Sequence, residues 1–180
     1  LDADGDPDLL AVGNGNDEIT WYPNDGAGAF GAAQLIGTRN DGPLGAALAD
    51  VDADGRLDVL SVSSVDGEVA WYRNDGYLRS EQPRVITQLA DGAYDVQFAD
   101  LDDDGLLDAI SASELDDEVA WYPGEGGGRF GAQRLVTSQA NGARAVRAAD
   151  LDRDGDLDLV FASFTANEVA WMRNDGGAQF

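Results

Sequence analysis

An all-β chain built as a β-propeller is what this sequence predicts, and three observations predict it. A unit recurs every 50 residues: the acidic stretches Asp50–Asp58, Asp100–Asp108 and Asp150–Asp158 lie in register, with a shortened copy at Leu1–Asp8. All four Trp fall on that step, at Trp21, Trp71, Trp121 and Trp171. No stretch holds a helical period over three turns, whereas strand-length apolar runs alternate with Gly, Asn and Asp turns. A four-stranded antiparallel unit of this length cannot bury both faces alone, and stacking such units around an axis gives a propeller.

The second unit serves as the pattern. Strand one is expected over 44–49, after which the acidic loop turns the chain into strand two over 59–63. A turn at 64–67 leads to strand three at 68–73, whose cross-strand return is signalled by Asn74-Asp75-Gly76. Strand four is expected over 83–88, its Pro83 suited to a sheet edge. Units therefore start near residues 1, 44, 94 and 144 of one uninterrupted segment, 1–180. At 180 residues the chain is short of four complete units, lacking strand one of the first and strand four of the last. It reads as a slice of a larger ring, or as a small four-bladed ring with ragged ends. Opening on Leu1-Asp2 and not on Met with a basic leader, it reads as a mature segment or a fragment.

Composition narrows the chemistry. There are 35 acidic and 11 basic residues, a formal charge of −24, which disfavours nucleic acid and anionic membranes and favours cations. Among the acids, 28 are Asp, as expected of short carboxylates in tight loops and not of salt-bridged helix faces. With no His, Cys or Lys, the chain cannot carry a Ser-His-Asp or Cys-His nucleophile, a zinc finger, a Walker A loop, a Schiff base or a disulfide. No apolar run is long enough for a membrane helix.

The acidic loop carries the candidate chemistry. In each full copy Asp stands at positions 1, 3, 5 and 9 and Gly at position 6, with the carbonyl of position 7 free to turn inward. These are hard oxygen donors of the kind Ca²⁺ takes six to eight at a time. The ligands would be Asp50, Asp52, Asp54, Asp58 and the Arg56 carbonyl; Asp100, Asp102, Asp104, Asp108 and the Leu106 carbonyl; and Asp150, Asp152, Asp154, Asp158 and the Asp156 carbonyl. The shortened copy offers Asp2, Asp4, Asp8 and the Asp6 carbonyl but no position 1, and is expected to be weaker. An EF-hand would place a bidentate Glu at position 12, where this chain has Ser61, Ser111 or Phe161. Without an ion, four carboxylates crowded in nine residues repel one another. Three to four structural Ca²⁺ ions are expected.

These residues resemble the FG-GAP and VCBS repeats, the likeness running from the acidic loop through EVAWYRNDG to Phe30-Gly31 and Phe130-Gly131 over essentially the whole chain. The resemblance implies calcium-binding propeller blades like those of the integrin α-subunit head, seven or eight to a ring, in secreted and cell-surface proteins. It implies an extracellular interaction or adhesion module. The GAP element is poorly kept, since Val62-Ser63-Ser64 and Ala112-Ser113-Glu114 follow strand two, so an integrin-like ligand site does not transfer.

The Trp-Tyr pairs Trp21-Tyr22, Trp71-Tyr72 and Trp121-Tyr122 are expected to pack between blades, although a sugar-stacking platform would use the same rings. The recurring Glu18, Glu68, Glu118 and Glu168 are expected to cap turns. Recognition is expected on the face opposite the acidic loops, where units differ: 14–17, Asp66, 114–117, 164–167, Arg39, Tyr94 and Arg144. The partner is expected to be an extracellular protein or a carbohydrate, with adjoining blades or a second copy closing the ring. No catalytic residue is assigned and the chain is expected not to be an enzyme; the rival reading is a propeller portion of a secreted polysaccharide-acting enzyme.

Overall fold

A computed structural model describes residues 1–38, 41–76 and 83–180, and within them every regular element is a β-strand. Strands β1 (Leu9–Gly13), β2 (Glu18–Tyr22) and β3 (Gln34–Gly37) form a three-stranded sheet. The second sheet has β4 (Pro43–Ala49), β5 (Asp58–Ser63), β6 (Val69–Tyr72) and β7 (Arg84–Thr87) in that order. The third orders β8 (Ala93–Ala99), β9 (Asp108–Ser113), β10 (Glu118–Tyr122) and β13 (Arg134–Thr137). The last has three strands, β14 (Ala143–Ala149), β15 (Asp158–Ser163) and β16 (Glu168–Met172). Every pairing is antiparallel. The strands fall within a residue or two of the expected ones, and the outer sheets lack the strands the chain is too short to supply. A small hairpin, β11 (Gly124–Gly126) with β12 (Arg129–Phe130), was not legible in the sequence; it arises where the third unit writes Gly124-Glu125-Gly126 for Asn-Asp-Gly.

The first strands of successive sheets stand side by side, β4 against β8 and β8 against β14. Close approach there demands small residues: a Cβ on Gly45 would lie 2.9 Å from the Tyr94 carbonyl oxygen and 3.2 Å from the Asp95 Cα. Each first strand carries a bulge at the same place, so that Pro43 pairs Ser63 but Gly45 pairs Val62, and likewise around residues 94 and 144. Residues Leu44, Tyr94 and Arg144 are thus the extra residues of three equivalent bulges.

The core lies between sheets. Trp21 and Ile19 share one cluster with Val59, Ala70 and Tyr72 of the next sheet. Trp71, Leu60 and Val69 meet Ala93, Val96, Ala109 and Tyr122. Trp121, Ile110 and Val119 meet Val146, Leu159 and Phe161. Alternate residues point to opposite faces of a strand, so each Trp faces the following sheet while the neighbouring Tyr faces the preceding one. Trp21, Trp71 and Trp121 are buried, which removes them as a sugar platform. The fourth sheet shows the same face uncovered: Val169 is 72% and Trp171 46% exposed, against 0% and 2% for Val119 and Trp121.

A candidate metal centre and a recognition face

The chain reaches each acidic loop from a first strand and leaves it through a second, so the loop is the tip of a hairpin. Backbone shape is set at two positions. Position 6 is Gly5, Gly55, Gly105 or Gly155, with φ between 84° and 105°, and no atom lies within 4 Å of where a Cβ would stand. The need for glycine is therefore conformational and not one of space. Position 4 is also left-handed, at Ala3, Ala53, Asp103 and Arg153, which the sequence did not announce because these are ordinary residues.

Position 1 closes the loop. Asp50 accepts hydrogen bonds from the Asp54 N–H at 3.0 Å and the Gly55 N–H at 2.8 Å, and Asp100 does the same with Asp104 and Gly105. Asp150 accepts from the Arg153 N–H. Position 9 clasps two hairpins together. Asp108, with no exposed surface, accepts from Leu101 N–H at 2.8 Å and from Gly124 N–H at 2.7 Å; Asp58 and Asp158 accept from Val51 and Asn74 and from Leu151 and Asn174.

The carboxylates of Asp50, Asp52 and Asp58 converge, as do those of Asp100, Asp102 and Asp108 and of Asp150, Asp152 and Asp158, each set having oxygens within 4.8 Å of one another. Positions 1, 3 and 9 are thus brought together. Position 5 is not: Asp54, Asp104 and Asp154 fall outside these sets, each using one oxygen to accept the N–H of position 7, from Arg56, Leu106 and Asp156. Nor do Asp2, Asp4 and Asp8 form such a set among the described residues. Asp8 pairs there with the Leu1 amino group, and Asp4 accepts the Asp6 N–H.

The donor set fits a hard cation. Asp52 Oδ1 and Asp102 Oδ1 are buried and accept no hydrogen bond, so in two of the three loops a carboxylate oxygen has been desolvated without a partner, whereas the exposed Asp152 accepts the Asp154 N–H. Burial, and repulsion from Asp104 and Asp100, raise the Asp102 carboxyl above its ordinary range. Burial pushes Asp108 up to about 6, opposed by the two N–H groups it accepts and reinforced by Asp102 and Asp104; Asp58 is raised for the same first reason. The loops differ in what stands beside them. Arg73 bonds Asp52 and Asp54, and Arg173 bonds Asp152 and Asp154, whereas the equivalent residue of the third unit is Pro123.

A carboxyl whose folded value stands above its unfolded 3.8 binds protons more tightly when folded, so folding free energy weakens as pH climbs from about 4 to about 6. Metal-free chain is therefore expected to melt higher at about pH 5 than at about pH 7, an outcome read by thermal denaturation in chelator. A profile that is flat or rises with pH contradicts this electrostatic account.

Successive loops are tied by asparagine. Asn174, wholly buried, donates from Nδ2 to Leu157 O at 3.2 Å in its own unit and to Leu101 O at 2.9 Å in the preceding acidic loop. Asn74 does the same with Leu57 and Leu1. The sequence marked these residues only as turn formers; their recurrence on the 50-residue step was the available signal. Asn174→Ala removes both bonds and is expected to cost about 2–3 kcal/mol in urea denaturation. A change near zero would show the tie to be idle.

On the opposite face four residues at positions that differ between units come together. Arg144, at its bulge, lays its guanidinium 3.6 Å from the Phe164 ring centroid and 5.0 Å from that of Tyr94, and bonds Glu114. A bulge re-aims its side chain, which explains why Tyr94 and Arg144 leave the sheet for this surface. Val65, Leu115 and Phe164 are each at least 60% exposed in the adjoining turns. The turns themselves are capped by Asp66 and Asp116, which accept the N–H of Glu68 and Glu118. Of the recurring Glu, Glu18 accepts from Asn16 within its turn, whereas Glu68 accepts from Gln88, just after the fourth strand, and Glu118 from Gln133, just before it. Arg39 lies outside the described residues.

Similarity to known proteins matches this geometry. No curated protein matches the chain in sequence. In structure it is similar to an Agrocybe aegerita lectin described for specific recognition of non-reducing terminal N-acetylglucosamine, with TM-score 0.60 and 22% identity over 97% of this chain and 50% of that one. It is also similar to a chain of a nidogen/laminin complex, with TM-score 0.58 and 12% identity over 94% of this chain and 61% of that one. The chain thus spans about half to three-fifths of the length of these structures, and the likeness is one of propeller-like fold. The FG-GAP-like repeat family matches residues 1–61, 50–111 and 100–161, each match running from one acidic loop through the next, and the chain belongs to that family.

Proposed function

We propose that the chain is four consecutive blades of a larger propeller, stabilised by calcium and serving as a non-catalytic extracellular interaction module. The observation that carries the calcium reading is the convergence of three Asp sets, two of them around a desolvated oxygen, that of Asp52 or Asp102. Ions would be held by positions 1, 3 and 9, with position 5 and the carbonyls of Arg56, Leu106 and Asp156 completing the shell after small rotations. The residues at 2, 4, 6 and 8 would form a fourth, weaker site. The single segment 1–180, with units near 1, 44, 94 and 144, supplies the blades, and the open Val169–Trp171 face is what a following blade would cover.

The partner is proposed to be an extracellular protein or glycan docking on the face of Tyr94, Glu114, Arg144 and Phe164, since this is where equivalent positions differ between units. Absence of His, Lys and Cys, and the recurrence on the 50-residue step of the buried acids Asp58, Asp108 and Asp158 and of Glu68, support a binding role over catalysis. Calorimetric titration with Ca²⁺ tests the metal half and is expected to give about three sites; no heat up to several millimolar would remove it. A glycan and extracellular-matrix protein array probed with wild-type and Arg144→Ala chain tests the other half, the expected result being binding without product formation that the variant loses.

A further inference from the structure

Strand three of each unit ends beside the acidic loop, as the bond from Gly124 N–H to Asp108 shows, so the β11–β12 hairpin lies at the metal-loop end of the molecule, away from the Arg144 face. Between this hairpin and the outer strand β7 of the preceding sheet is a cavity of about 280 Å³. Arg84, Val85, Ile86, Glu125, Arg129 and Phe130 line it. That volume is at the small end of ligand pockets, room for one ring and not for a peptide.

The walls are held before any ligand arrives. Gly128 packs so tightly on Trp71 that a Cβ there would stand 1.9 Å from the ring. The Arg84 guanidinium lies 4.8 Å from the Trp71 ring centroid and donates to the Gly127 carbonyl. Phe130 stacks on Phe98 with centroids 6.4 Å apart. Charge is the unusual feature. In a chain of net charge −24, Arg56, Arg73, Arg144, Arg147 and Arg173 pair with carboxylates, whereas among the described residues Arg84, Arg129, Arg134 and Arg153 pair with none, and of these four Arg84 and Arg129 line this one cavity. Two guanidinium groups left without an anion on one small cavity define an anion subsite. At the next joint the positions one period on are Arg134, Asp175, Gln179 and Phe180, so the second guanidinium is missing there.

We propose that this cavity binds a single sugar ring bearing a carboxylate, a uronic acid residue of an acidic polysaccharide. Arg84 and Arg129 hold the carboxylate, Phe130 and Val85 face the C–H surface of the ring, and Glu125 accepts from a ring hydroxyl. An apolar wall beside paired cations suits such a ring better than a bare inorganic anion, which would leave Phe130 and Val85 without a role. The site is separate from the Arg144 face, and its hairpin is anchored to the third acidic loop through Asp108.

The 180-residue chain in calcium buffer, titrated calorimetrically with glucuronate, its methyl ester, glucose and sulfate, tests the assignment. Glucuronate is expected to bind, with the ester and glucose at least ~10-fold weaker and sulfate unable to displace it, because charge-assisted bonds carry the affinity. Arg129→Gln, which writes the residue of the next joint, is expected to weaken glucuronate ~10-fold or more and to melt like wild type, since the side chain is exposed. Equal binding of ester and acid overturns the carboxylate, and displacement by sulfate overturns the sugar. Unchanged glucuronate binding in Arg129→Gln, or no binding by wild type, overturns the site. The ester comparison uses unaltered protein and does not depend on the variant folding.

Discussion

Asp108→Ala is expected to destabilise the chain by about 2–5 kcal/mol, the largest loss of any single loop substitution. The side chain has no exposed surface, and its two oxygens satisfy the N–H groups of Leu101 and Gly124 from separate hairpins. Truncation leaves both donors buried and unpaired, at roughly 1–3 kcal/mol each. In a chain of this size that corresponds to a fall in melting temperature of roughly 4–20 °C. Because the bonds are to backbone, the loss should persist in chelator as well as in calcium, and a loss seen only with calcium would reduce Asp108 to a metal ligand. Burial also raises this carboxyl to about 6, so part of the cost in metal-free protein is offset near neutral pH by removing an unfavourably placed charge.

Stripping calcium is expected to have an effect of similar size by a different route. With dissociation constants of about 10⁻⁴ to 10⁻³ M, ions near 1 mM would contribute roughly 0.4–1.4 kcal/mol per loop, or roughly 1–4 kcal/mol for three. Melting followed with and without chelator reads this directly, and identical curves would dismiss a structural metal. Asp102→Ala sharpens the test through a reversal of sign. Asp102 has a buried oxygen with no partner and a carboxyl raised by burial and by Asp104 and Asp100. Removing it should raise melting in chelator while taking away about one loop's share of the gain from calcium. If the variant melts lower in both conditions, the carboxylate is held by something other than an ion. The third loop is the informative one because Pro123 stands where Arg73 and Arg173 neutralise the other two.

The two predictions separate roles that look alike in the sequence. Four Asp recur at positions 1, 3, 5 and 9, and nothing in their spacing distinguishes them. In the folded chain position 9 is a clasp on backbone, position 1 shapes the loop, position 3 carries an unsatisfied oxygen at Asp52 and Asp102, and position 5 holds the N–H of position 7. The same holds for the asparagines: Asn74-Asp75-Gly76 reads as a hairpin turn, which it is, while the bond from Asn74 to Leu1 crosses 73 residues and has no local signature.

Strand positions, the acidic loops and the burial of Trp21, Trp71 and Trp121 were determined by sequence alone, because each depends on chemistry within a few residues and is written three or four times. Alternation along EVAWY places Trp and Tyr on opposite faces whatever surrounds them. Tertiary structure alone decided which carboxylates converge, that bulges carry Tyr94 and Arg144 to one surface with Phe164, and that Arg84 and Arg129 from different units share a cavity. Those groupings join residues about 20 to 70 positions apart or depend on left-handed turns at ordinary residues such as Asp103, and the geometry that unites them exists only once neighbouring sheets have packed.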